Sequence, residues 1–126
     1  MVDVAFAVDT SGSISRENWT HVTDFFNRFI SRIEVSPDCT RVSVVTFGSV
    51  ASLQFDLLVY TNAVSLRRGI ERLHTRNQTR DFEGAIRQVR SEVFQTYYGD
   101  RQGLPNVCVL LTDGNSGVDR QVCRYR

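Results

Sequence analysis

Val2-Asp3-Val4-Ala5-Phe6-Ala7-Val8-Asp9-Thr10-Ser11-Gly12-Ser13 is the stretch on which the fold turns. Residues 2–8 are apolar except for Asp3, the pattern of a strand buried on both faces. The oxygen-bearing side chains of Asp9, Ser11 and Ser13 follow at alternate positions. They fall at the C-terminal end of a buried strand, and in an open parallel sheet that end forms a crevice where ligands bind beside helix N-termini. Gly12 permits a tight backbone turn, and closely spaced carboxylate and hydroxyl oxygens suit a hard divalent cation. The competing assignment is an ordinary strand-to-helix turn in which the same side chains cap backbone groups.

The rest of the chain alternates as a layered α/β fold requires. Ser15 can cap a helix in which Trp19, Val22, Phe26, Phe29, Ile30 and Ile33 recur at steps of three and four, a stripe for packing on a sheet. Pro37 and Asp38 break the chain before a second buried strand at 41–47. The short Gly48-Ser49 link allows only a hairpin, so the next strand runs antiparallel to the second. There Leu53, Phe55 and Leu57 alternate with Ser52, Gln54 and Asp56, as in a half-exposed edge strand. A helix over 62–73 is expected to face Val64, Ile70 and Leu73 inward, and a polar loop at 74–81 carries Thr79. A further helix over 82–97 places Ile86, Val89, Val93 and Tyr97 on one face. Gly99, Gly103 and Pro105 end it and lead into a fourth strand at 107–111, which delivers Thr112 and Asp113 at its end. The expected fold class is α/β: a three-layer Rossmann-like sandwich with a mostly parallel central sheet, one antiparallel edge strand and helices on both faces.

Asp9-x-Ser11-x-Ser13, Thr79 ahead of Gly84-Ala85-Ile86, and Asp113 within Leu110-Leu111-Thr112-Asp113-Gly114 follow one another in a telling order. That order resembles the metal-ion-dependent adhesion site of von Willebrand factor type A domains, the integrin inserted-domain-like family, and the resemblance runs from Val2 to about Asp119. It implies a metal held by Asp9, Ser11, Ser13, Thr79 and Asp113. Ser11 and Ser13 would bind through their hydroxyls, Thr79 directly or through water, and Asp9 and Asp113 through waters or by orienting the serines. Neutral hydroxyls leave a dication poorly compensated, so it keeps an affinity for one more anionic oxygen, such as an Asp or Glu carboxylate of a partner. Mg2+ suits such a site and Mn2+ can substitute.

The function implied is an extracellular adhesion or matrix-binding module whose protein partner, collagen or another matrix component, presents an acidic residue to the ion. The alternatives are a structural assembly module in which the metal only stabilises the fold and, further away, a Mg-dependent hydrolase. One departure bears on mechanism. Asp81 stands where the family often has a second hydroxyl, and a carboxylate there either joins the metal or faces solvent and caps the next helix. The resemblance also implies a further helix and strands, so residues 1–126 are expected to be a single domain incomplete at its C-terminus, with strand 107–111 as an unpaired sheet edge.

Composition bounds these alternatives. With 126 residues, 41% of them hydrophobic, the chain can bury one core, and a formal net charge of +1 argues against a nucleic-acid footprint. All 15 basic residues are Arg, which pairs with planar anions in a bidentate way and suits acidic or sulfated partners; compositional bias explains the same fact. No stretch approaches the roughly 20 apolar residues that span a bilayer, and no leader peptide is visible, so the start reads as that of an excised segment. Cys39, Cys108 and Cys123 make an odd count with no zinc spacing. Cys108 is expected in the core, and Cys39 and Cys123 are the candidates for pairing outside the chain. Sequons at Asn18 and Asn77 agree with a secreted protein or a surface ectodomain, although a glycan on Asn77 would crowd the metal loop.

Catalysis lacks a constellation. A haloacid-dehalogenase-type phosphatase needs an acid where Ser11 stands, and no Gly-x-Ser-x-Gly elbow or phosphate-cradling loop occurs. The histidines are His21 on the first helix and His74 in a loop. The expectation is a binding module and not an enzyme.

Overall fold

The computed structural model describes residues 1–10, 15–48, 50–73 and 82–112. Four strands, β1 (Val2–Asp9), β2 (Thr40–Phe47), β3 (Ala51–Phe55) and β4 (Asn106–Leu111), form a sheet ordered β3-β2-β1-β4. β1 pairs in parallel with both β2 and β4, and β2 pairs antiparallel with β3. The expected mixed sheet with an antiparallel edge is what forms.

β1 is central because its side chains are apolar on both faces, so each face can be covered by helices. Val4, Phe6 and Val8 point into one core layer with α1 (Arg16–Ile30) and α2 (Ala63–Glu71). Ala5 and Ala7 point into the other, under α3 (Phe82–Gln88) and the turn that follows it. The first layer is centred on Phe6, whose ring meets Phe26 at 4.8 Å and Phe29 at 5.0 Å, both edge to face. Such aromatic pairs contribute about 0.5–1.5 kcal/mol each beyond their buried area. The expected α1 stripe is this face of the helix, and Ser15 caps it by accepting from the Asn18 N–H at 3.2 Å.

β3 departs from simple alternation. Val45 pairs with Leu53 but the adjacent Val44 pairs with Phe55, so Gln54 is an extra residue in a β-bulge. The bulge turns Leu53 into the α3 layer and Phe55 into the α1/α2 layer, whereas period-two alternation assigned both to one face. It is fastened on both sides: Gln54 Nε2 donates to Thr46 Oγ1 at 2.8 Å, and buried Ser43 donates through Oγ to the Phe55 carbonyl at 2.8 Å.

Three further expectations are corrected. In α2 the buried residues are Leu66, Gly69 and Ile70, with Leu73 beyond, while Val64 is 60% exposed. At about 100° per residue Val64 lies roughly 200° from Leu66, on the far side of the helix. Gly69 belongs inside because the Tyr60 ring crosses there and occupies the space a Cβ would need.

The helix expected over 82–97 does not run straight through. After Gln88 it widens into a π turn, Val89–Val93, in which the Phe94 N–H donates to the Val89 carbonyl at 3.1 Å. Phe94 then leaves helical geometry and a separate 3-10 turn, Thr96–Tyr98, follows, ended by Gly99 at φ 97°. Tyr97 is consequently 84% exposed. Ala85, Val89 and Val93 are the buried contacts of this segment, and Ile86 is half-buried.

Cys108 is exposed, not buried. It aligns with Ala5 on the α3 face of the sheet, but α3 packs over β2 and β3 and leaves the β4 end of that face uncovered by the described residues. Cys39 is half-buried in the turn leading to β2. Cys123, His74 and the Asn77 sequon lie outside the described residues.

Candidate metal-binding rim

The carboxyl ends of β1, β2 and β4 meet along one rim. Asp9, the last residue of β1, is fully buried and aligns with Phe47 at the end of β2. On the other side Val8 aligns with Leu111, so Thr112 follows at the level of Asp9. A buried carboxylate is costly unless hydrogen-bonded. Asp9 Oδ2 accepts from Thr112 Oγ1 at 3.0 Å. The chain just beyond Asp9 is tied to β2, where the Thr10 N–H donates to the Phe47 carbonyl at 3.0 Å and the Thr10 hydroxyl reaches the same oxygen at 3.4 Å.

Of the five residues expected to hold a metal, Asp9 is thus at the strand-end rim. Ser11, Ser13, Thr79 and Asp113 lie outside the described residues, as does Asp81. Among the described residues no three of His, Cys, Asp or Glu gather into a metal-binding group. The described donors at this rim are a buried carboxylate and a hydroxyl, the hard oxygen chemistry that Mg2+ and Mn2+ prefer. A divalent cation therefore fits the residue types present.

Thr112 is the contributor that sequence reasoning left out of the site. Its position directly after the apolar run 106–111, level with the acid ending β1, is the signal that marks it. Beside the Asp9–Thr112 pair a groove of about 390 Å³ opens between α1 and β4. Asn18, His21, Val22 and Phe25 form one wall and Leu110, Leu111 and Thr112 the other.

The sequence matches the von Willebrand factor type A domain family over residues 3–125. The chain belongs to the von Willebrand factor type A family. Human matrilin-3 is 32% identical over 117 residues, covering 90% of this chain and 24% of matrilin-3. The human collagen alpha-6(VI) chain is 30% identical over 118 residues, covering 92% of this chain and 5% of the collagen chain. This type A chain therefore spans a quarter or less of these relatives. Among solved structures, proximal thread matrix protein 1 from the mussel byssus, with a zinc-occupied MIDAS motif, superposes with a TM-score of 0.81. The two are 29% identical, over 90% of this chain and 28% of the byssal protein. No helix among the described residues is long and apolar enough to cross a membrane.

Proposed function

We propose that this type A domain is an extracellular, matrix-associated binding module. In this reading a divalent cation held by Asp9, Ser11, Ser13, Thr79 and Asp113 captures an Asp or Glu carboxylate of a protein partner such as collagen. The observation that carries it is the fully buried Asp9 carboxylate at the carboxyl end of the central parallel strand, met there by the Thr112 hydroxyl. A buried acid at a strand-end crevice is a functional position before it is a packing one. Support from outside the chain comes from its relatives, which include a matrilin, a collagen VI chain and a byssal matrix protein whose MIDAS motif holds zinc.

Mg2+ is the cation assigned, with Mn2+ able to replace it, because few protein carboxylates and several hydroxyls suit ions that retain water. Hydroxyl ligands leave the ion's charge unneutralised, so a partner's carboxylate completes it. The role assigned is recognition of a partner.

Chelation tests the reading directly. Binding to immobilised collagen or another matrix protein should require Mg2+ or Mn2+, vanish in EDTA and return on readdition of metal, while the chain stays folded in EDTA with only the melting-temperature decrease that loss of a bound ion entails. Loss of stability in EDTA with partner binding unaffected would favour a structural metal. Ser11→Ala should abolish the calorimetric signal of Mg2+ binding in a folded protein; unchanged affinity would remove the assignment.

A further inference from the structure

We propose that Thr112 is a positioning residue of the metal site, its hydroxyl holding the Asp9 carboxylate in the orientation that the cation and its serine ligands require. The inference rests on the proposed metal-binding reading and extends it to a residue outside the ligand set. The backbone at Asp9 is fixed by its pairing with Phe47 and by the two Thr10 bonds to the Phe47 carbonyl. What the backbone does not fix is the terminal carboxylate torsion of an aspartate, which is intrinsically broad. The Thr112 bond to Oδ2, at 3.0 Å, acts on that torsion.

Three features suit Thr112 to this task. Its position is set by strand register, since Leu111 aligns with Val8 and Thr112 follows it. Its χ1 is stiff because the side chain is branched at Cβ, so the hydroxyl is held where the register places it. The bond is charge-assisted, hence stronger than one between neutral groups. Thr112 is an exposed residue overall, at the mouth of the groove beside α1. Thr112 also directly precedes Asp113, so one residue links the acid ending β1 to the segment bearing the second expected acid.

The test is calorimetric titration of the chain with Mg2+ and with Mn2+, alongside thermal melting in EDTA and in metal. Thr112→Val keeps the shape and removes the hydroxyl. It should weaken metal affinity about tenfold, the scale of losing a hydrogen bond that orients a ligand. Its melting temperature in EDTA should fall by no more than the loss of one hydrogen bond to the buried Asp9 carboxylate entails, and the metal-induced rise should shrink in addition. Thr112→Ser, which keeps the hydroxyl, should restore affinity, and Thr112→Ala repeats the measurement should the valine variant fail to fold. Equal affinity in wild type and Thr112→Val, with binding lost in Asp9→Asn, would overturn the positioning role and leave the metal site standing. Unchanged binding in Asp9→Asn, or no binding in wild type, would overturn the metal-site reading and this inference with it.

Discussion

Arg101 and Asp3, 98 residues apart in sequence, close the pole of the sheet opposite the Asp9–Thr112 rim. Arg101 Nε and Nη2 donate to Asp3 Oδ1 at 2.9 and 2.6 Å, and the Arg101 backbone N–H takes Oδ2 at 2.8 Å. Asp3 is fully buried, and the same guanidinium reaches the carbonyls of Cys39, Val2 and Pro37. One side chain thereby binds the start of β1, the approach to β2 and the turn before β4.

Arg101→Ala strands a buried carboxylate and should cost about 3–5 kcal/mol of unfolding free energy. The double variant Asp3→Leu/Arg101→Met leaves no charge behind and should recover most of that loss, because a buried ion pair adds little net stability over apolar packing. Urea denaturation of the two variants decides the matter. A mild Arg101→Ala, or a double variant as unstable as the single, would contradict this account.

The bulge at Gln54 predicts unequal consequences along β3. Phe55 is 6% exposed and packs edge to face on Tyr60 at 4.7 Å, so Phe55→Ala should lose about 3–5 kcal/mol. Half-buried Leu53 lies in the other layer, so Leu53→Ala should cost less and should add to a Phe6→Ala change without coupling. Strong coupling between Leu53 and Phe6 in a double-mutant cycle would place them in one layer after all.

Gly99 combines a left-handed backbone, φ 97°, with a close approach: a Cβ there would stand 2.7 Å from Leu58 Cγ. Gly99→Ala should therefore destabilise by about 1–3 kcal/mol through strain and displaced packing. Gly103 has φ 84° but open space around it, so Gly103→Ala should suffer the backbone cost alone. Thermal melting of both variants should rank Gly99→Ala lower.

Metal should stabilise the chain through Asp9. At a concentration 100 times the dissociation constant, bound Mg2+ adds about 2.7 kcal/mol to the unfolding free energy. In Asp9→Ala that increment should disappear. Retention of the full metal-induced shift would dissociate Asp9 from the metal.

Much of this architecture was legible in the sequence because strong local signals agreed with the packing. The apolar run 2–8, the α1 stripe and the short link after Phe47 each specified one arrangement, and each formed, the link running over residues 48–50. Failures arose where a long-range partner decided. Val64 fits a helical stripe in isolation, yet the phase of α2 is set by Leu66 and by Gly69 under Tyr60. Tyr97 extends the spacing of Val89 and Val93, but Tyr98 is drawn away to the loop after β3, where its carbonyl accepts from the Leu57 N–H at 3.2 Å. Cys108 looks like core in an apolar strand, but α3 covers β2 and β3 and leaves the β4 end of that face uncovered by the described residues. At the site, Asp9 was legible from its place after a buried strand, whereas Thr112 needed the β1–β4 register.

A sheet margin with an unbroken row of outward N–H and C=O groups is a template on which other chains can add strands. At β3 the additional residue Gln54 interrupts that row and spends its amide on Thr46, so the margin is locally out of step with any incoming strand. The irregularity that divides Leu53 from Phe55 thus also makes this margin a poorer template for an added strand.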